Sequence, residues 1–131
     1  MTIETMNIRE MCDTFDVTPR TLRFYEAKEL LFPIREGQRR LFTRRDRARL
    51  KLILRGKRFG FSLEEIRQLL DLYHMEGGKE AQLAETYRMA ERHLGDMETQ
   101  RAELDEAIGE LKAQMEWGAK KLEEIKRRDA A

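Results

Sequence analysis

Two hydrophobic rhythms divide the chain. In the C-terminal part, apolar residues return at alternating intervals of four and three, through Leu83, Tyr87, Ala90, Leu94, Met97, Arg101, Leu104, Ile108, Leu111, Met115, Gly118, Leu122 and Ile125, with Arg101 as the polar member. This is a heptad seam, with Tyr87, Leu94, Arg101, Ile108, Met115 and Leu122 at position a and the rest at d. A helix of this length measures about 65 Å, too long for the short N-terminal part to cover, so its apolar face calls for a second helix. The seam predicts an antiparallel coiled-coil homodimer in which Tyr87 faces Gly118 of the other chain, with Leu83 opposite Leu122, Ala90 opposite Met115, Met97 opposite Ile108 and Leu94 opposite Leu111. Large then meets small at the tyrosine, and an interior glycine has a packing reason. Arg101 falls beside Leu104 near the two-fold axis, where Asp105 one turn on can pair with it.

The N-terminal part has shorter periods with frequent capping signals. Asn7 and Glu10 form a capping-box pattern that opens a short helix over Asn7-Ile8-Arg9-Glu10-Met11-Cys12. After a turn over Asp13 to Val17, Thr18 is a good N-cap and Pro19 suits the first helical position. Arg20 and Arg23 share one face of this second helix, while Leu22 and Phe24 are expected to point into a core. Two short helices joined tightly form a helix-turn-helix, whose second helix enters the major groove by its N-terminal end.

Beyond Leu30-Leu31, Pro33 and Gly37 punctuate two short extended pieces, predicting a small β-hairpin wing. Thr43 and Asp46 cap a helix running through Leu50 and Ile53 towards Arg58, and Phe59-Gly60-Phe61 breaks it. Ser62 to Glu65 is another capping box, starting a helix with Leu63, Ile66, Leu69, Leu70 and Tyr73 on its apolar stripe. A Gly77-Gly78 hinge follows, so the chain divides into a DNA-binding unit, 1–76, and a dimerisation helix, 79–128. The fold class expected is mainly α.

The formal charge is only +1, but it is unevenly spread. Residues 1–74 hold sixteen Lys/Arg against eleven Asp/Glu, and residues 75–131 hold ten against fourteen. Between Arg35 and Arg58, eleven basic residues meet only Glu36 and Asp46. Such polarity fits an N-terminal half that binds a polyanion.

No apolar run approaches the roughly 20 residues that span a bilayer, and Met1-Thr2-Ile3-Glu4 begins no basic-then-apolar leader, so a cytoplasmic protein without membrane contact is expected. A single cysteine, Cys12, excludes an intrachain disulfide and a multi-cysteine metal site within the chain. It reads as a small packing residue rather than a redox sensor, because no second thiol can resolve it. His74 and His93 stand apart as surface or packing residues. No nucleophile with its base, metal cluster or glycine-rich phosphate loop is present, which argues against an enzyme, and no cofactor or metal site is expected.

The motifs Thr18-Pro19-Arg20-Thr21-Leu22-Arg23-Phe24-Tyr25-Glu26, Leu30-Leu31 with Pro33, Arg40-Leu41-Phe42, and Gly60-Phe61-Ser62-Leu63-Glu64-Glu65-Ile66 resemble, in order and spacing, the winged-helix domain of the MerR family of bacterial transcription regulators. Lys51-Leu52-Ile53-Leu54-Arg55-Gly56-Lys57-Arg58 with Gly37-Gln38 further resembles a short-chain subset that controls branched-chain amino-acid and acyl-CoA breakdown.

The resemblance implies a homodimer that binds and distorts double-stranded promoter DNA so that RNA polymerase can engage it. The implied DNA-binding set is Thr18, Arg20, Thr21, Arg23, Tyr25, Arg39 and Arg40. Arg20 and Arg23 would enter the major groove, Tyr25 would touch the backbone, and Arg39 and Arg40 would carry the wing's contacts to phosphates or the minor groove. Where the family has a tyrosine before the wing arginine, this chain has Arg39. A small-molecule effector, if one binds, would be placed by the resemblance near Gly77-Gly78 and the dimer interface. The competing readings are a coiled-coil adaptor, or an architectural DNA-binding protein without sequence preference.

Overall fold

The computed structural model describes residues 4–73 and 80–130. Its elements run α1 (Ile8–Phe15), α2 (Pro19–Ala27), β1 (Ile34–Glu36), β2 (Arg39–Leu41), α3 (Arg44–Arg58), α4 (Leu63–Tyr73) and α5 (Glu80–Ala130). Contacts group residues 1–87 and 88–131 into two units, so the first two turns of α5 belong with the N-terminal one. The Gly77-Gly78 hinge, the effector surface expected around it, His74 and the side chain of Tyr73 lie outside what is described.

Each short helix starts where a side chain satisfies its first free N–H groups. Asn7 Oδ1 accepts from Glu10 N (2.8 Å) while Glu10 Oε1 accepts from Asn7 N (3.0 Å). Thr43 with Asp46 and Ser62 with Glu65 repeat the exchange for α3 and α4. Helix α1 runs three residues further than expected, to Phe15, and ends on Asp16 in the left-handed conformation (φ 54°, ψ 51°). Aspartate tolerates that region better than most residues, which allows so short a connection to α2.

The hairpin is antiparallel, pairing Ile34 with Leu41, Arg35 with Arg40 and Glu36 with Arg39 across a two-residue turn in which Gly37 has φ +65°. The segment preceding α1 adds an unexpected single β-bridge: Met6 and Phe42 exchange both backbone hydrogen bonds, at 2.9 and 2.7 Å. The core gathers Met11, Leu22, Tyr25, Leu30, Leu31, Phe42, Leu50, Ile53, Ile66 and Leu70. Helices α3 and α4 pack closely at Gly56, where a Cβ would stand 2.9 Å from Ile66 Cγ1.

Helix α5 is continuous for 51 residues. Along it Leu83, Tyr87, Leu94, Met97, Leu104, Ile108, Leu111, Met115, Leu122 and Ile125 are 42–66 % exposed, and Ala90 and Arg101 are exposed too. A Cβ at Gly118 would meet nothing within 4 Å, so the chain's own fold gives no reason for a glycine there. Met89, off the stripe, is buried. Among the described residues no helix is long and apolar enough to cross a membrane.

Candidate nucleic-acid interface

Helix α2 is held at both ends. At its start, Thr18 Oγ1 accepts from Thr21 N (3.2 Å) and lies 2.9 Å from Thr21 Oγ1, so the two expected DNA-binding threonines are bonded to each other as a cap. At its end the chain turns through Glu29 with φ 59°. Arg67 of α4 donates to the carbonyls of Lys28 (2.5 Å) and Glu29 (3.5 Å), and Arg49 of α3 donates through Nε to Leu30 O (2.7 Å). Arg49 is buried, with its guanidinium 5.2 Å from the centre of the Phe32 ring, and burial pushes its pKa down, with repulsion from Arg45 adding to the effect. Two arginines thus bond the carbonyls of the turn after α2, while the helix's own last carbonyls on Phe24, Glu26 and Tyr25 accept from Lys28, Glu29 and Leu30 N.

The inward face of α2 is Leu22 and Tyr25, three residues apart. Two positions differ in burial from what was expected. Tyr25, expected to touch a DNA backbone, is only 1 % exposed and packs in the core. Phe24, expected inside, is 44 % exposed, because it sits just over half a turn from Leu22 and so on the opposite side of the helix. The outward face therefore comprises Arg20, Arg23, Phe24 and Ala27, all exposed.

The wing meets this helix through a carboxylate that sequence reasoning passed over. Glu26, on α2, accepts from Arg40 Nε at 2.5 Å and pairs with Arg35 Nε at 3.3 Å. Arg40 is accordingly largely buried, whereas Arg39 and Gln38 stay exposed at the hairpin tip. Of the two wing arginines expected to contact DNA, Arg40 has an anionic partner on α2, which joins hairpin and helix. Arg39 is the exposed cation. The signal for Glu26 was available only as an acid one turn beyond Arg23, with nothing to say what it would meet.

Arg23, Arg39 and Arg40 line one open groove together with Asn7, Ile8 and Gln38. Three of the expected cations are thus brought together, while Arg20 lies outside this groove. Cys12 is partly buried, and burial, with Asp13 adding, pushes its thiol pKa up, opposing reactivity. No group of three or more His, Cys, Asp or Glu side chains suited to hold a metal occurs among the described residues.

Comparisons with known proteins agree with this geometry. The family model described as MerR HTH family regulatory protein matches residues 6–72, and that described as MerR, DNA binding matches residues 47–114. The chain is 43 % identical over 67 residues to the HTH-type transcriptional regulator ZntR of Escherichia coli (strain K12), covering 50 % of this chain and 48 % of ZntR. It therefore spans about half the length of that curated relative. A MerR family transcriptional regulator from Bacillus cereus has a similar structure, with a TM-score of 0.60 and 30 % identity over 78 % of this chain and 76 % of that one. HiNmlR, a MerR family regulator lacking the sensor domain and solved bound to promoter DNA, shares the fold with a TM-score of 0.62 and 23 % identity, over 80 % and 79 % of the two chains. With the capped helix-turn-helix, the hairpin wing and the long helix each in place, the chain belongs to the MerR family of helix-turn-helix regulatory proteins.

Proposed function

We propose that the protein is a sequence-specific, DNA-binding transcription regulator that works as a homodimer in the cytoplasm, distorting promoter DNA for RNA polymerase rather than catalysing a reaction. The observation that carries this reading is the exposed basic face of α2, with Arg20 and Arg23, beside a wing seated on the same helix by Glu26. An exposed arginine pair at the start of a rigidly held helix suits the major groove, where Arg reads guanine O6 and N7. Arg39, at the hairpin tip, suits a phosphate. The promoter DNA bound by HiNmlR supports the same use of the shared fold.

The second element is the seam of α5. A stripe of ten large apolar residues left open on one helix favours a partner of the same pattern. Antiparallel pairing with Tyr87 opposite Gly118 would account for the glycine that the single chain does not need. It would set the seam's ends on the order of 60 Å apart, close to two turns of B-DNA at about 34 Å each.

Binding to duplexes selected from a random pool, compared with random duplexes over a salt series, tests the reading. A regulator favours its selected site by roughly a thousandfold or more. Equal binding to both would favour the adaptor or architectural alternatives. Arg20→Ala should cost about 1–3 kcal/mol on the selected site and less on random DNA.

A further inference from the structure

An aromatic ring on the outward face of α2 has no role in the core. Phe24 is 44 % exposed, four residues after Arg20 and next to Arg23, so it stands in the middle of the basic face. Its ring is held in place from two sides: the Tyr25 ring lies 5.7 Å away at a 55° tilt, and Lys28 Nζ lies 5.7 Å from the ring centre. A large apolar side chain kept open to water between cations is suited to an apolar feature within a polyanion. In the major groove, the apolar group on an unmodified base edge is the thymine C5-methyl.

We propose that Phe24 is a specificity-determining residue that reads a thymine methyl beside the base contacted by Arg20. The inference rests on α2 being the reading helix. The hydrophobic contact adds a base preference that the arginines cannot supply, because a guanidinium recognises acceptors and not a methyl. Lys28, placed over the ring, holds the aromatic plane and leaves its own charge near the backbone.

The test uses the full chain and a duplex that the wild-type protein selects from a random pool, made with thymine and again with single deoxyuridines, which lack only the methyl. Burial of one methyl corresponds to about a fourfold loss in affinity when uracil replaces the thymine that Phe24 reads. Phe24→Ala should bind the two duplexes alike. Phe24→Gln, which retains helix propensity, should behave the same way and covers the case in which the alanine variant melts early. A wild-type protein indifferent to every thymine-to-uracil change, or Phe24 variants that keep the wild-type ratio, would overturn the proposal. If α2 were not the reading helix, Arg20→Ala would also leave the preference for selected over random DNA unchanged. Loss of that preference in Arg20→Ala, together with an unaltered thymine-to-uracil ratio in the Phe24 variants, overturns the inference about Phe24 alone.

Discussion

Arg40 of the wing donates through Nε to Glu26 of α2 across 2.5 Å, and both side chains are about four-fifths buried. One carboxylate, shared with Arg35, thereby links the hairpin to the helix that carries Arg20 and Arg23. The charge pair is local, but its effect is geometric: it sets where the tip of the wing stands relative to the start of α2.

The two wing arginines should consequently separate by experiment. Arg39→Ala should reduce the slope of log affinity against log salt by about one, with little change in melting temperature, as expected for a lost phosphate contact. Arg40→Ala and Glu26→Gln should each lower stability by about 1 kcal/mol, because a partly buried carboxylate or guanidinium loses its partner. Salt titration of binding beside thermal melting distinguishes the two behaviours. An unchanged slope in Arg39→Ala would count against Arg39 as the wing's contact.

Asp46 has a similar connecting role inside the unit. It is 2 % exposed and accepts from Phe32 N (2.9 Å), Thr43 N (3.0 Å) and Thr43 Oγ1 (3.1 Å). Asp46→Ala would leave two backbone N–H groups without their acceptor and remove half of a capping box, a loss of about 2–4 kcal/mol. Denaturant unfolding should show a lower midpoint at unchanged slope.

Gly56 is required by proximity rather than by a turn. A Cβ there would lie 2.9 Å from Ile66 Cγ1 and 3.5 Å from Phe61 Cδ2, so Gly56→Val forces α3 and α4 apart. The overpacking should destabilise by about 1–3 kcal/mol, more than the helix-propensity gain over glycine returns. Gly118→Ala provides the contrast, since nothing within the chain opposes it; any loss it causes should appear in dimer dissociation rather than in unfolding of the N-terminal unit.

Cysteine crosslinking tests the pairing of α5. In a Cys12→Ser background, Tyr87→Cys and Gly118→Cys together should link chains rapidly on oxidation, and either alone should not, because a disulfide needs Cα atoms about 4.4–6.8 Å apart. Rapid linkage through position 87 alone would mean that the helices run parallel.

The residues by themselves determined the helices, because capping pairs and apolar spacing act over three or four positions. Asn7 with Glu10, Thr43 with Asp46 and Ser62 with Glu65 are complete statements of where a helix begins. Gly37 likewise specifies a tight turn, and the unbroken heptad specifies one long helix with an apolar stripe. Tertiary structure decided the rest, because it depends on which side of a short helix meets the core and on contacts between distant residues. Phe24 and Tyr25 are adjacent and both aromatic, and only Tyr25 stands three residues from Leu22 on the same face, a spacing that the expectation of Phe24 in the core did not follow. Packing turned Tyr25 inward and Phe24 outward. Glu26 and Arg40 are fourteen residues apart, and only the folding of the wing onto α2 brought them into the bond that joins hairpin and helix.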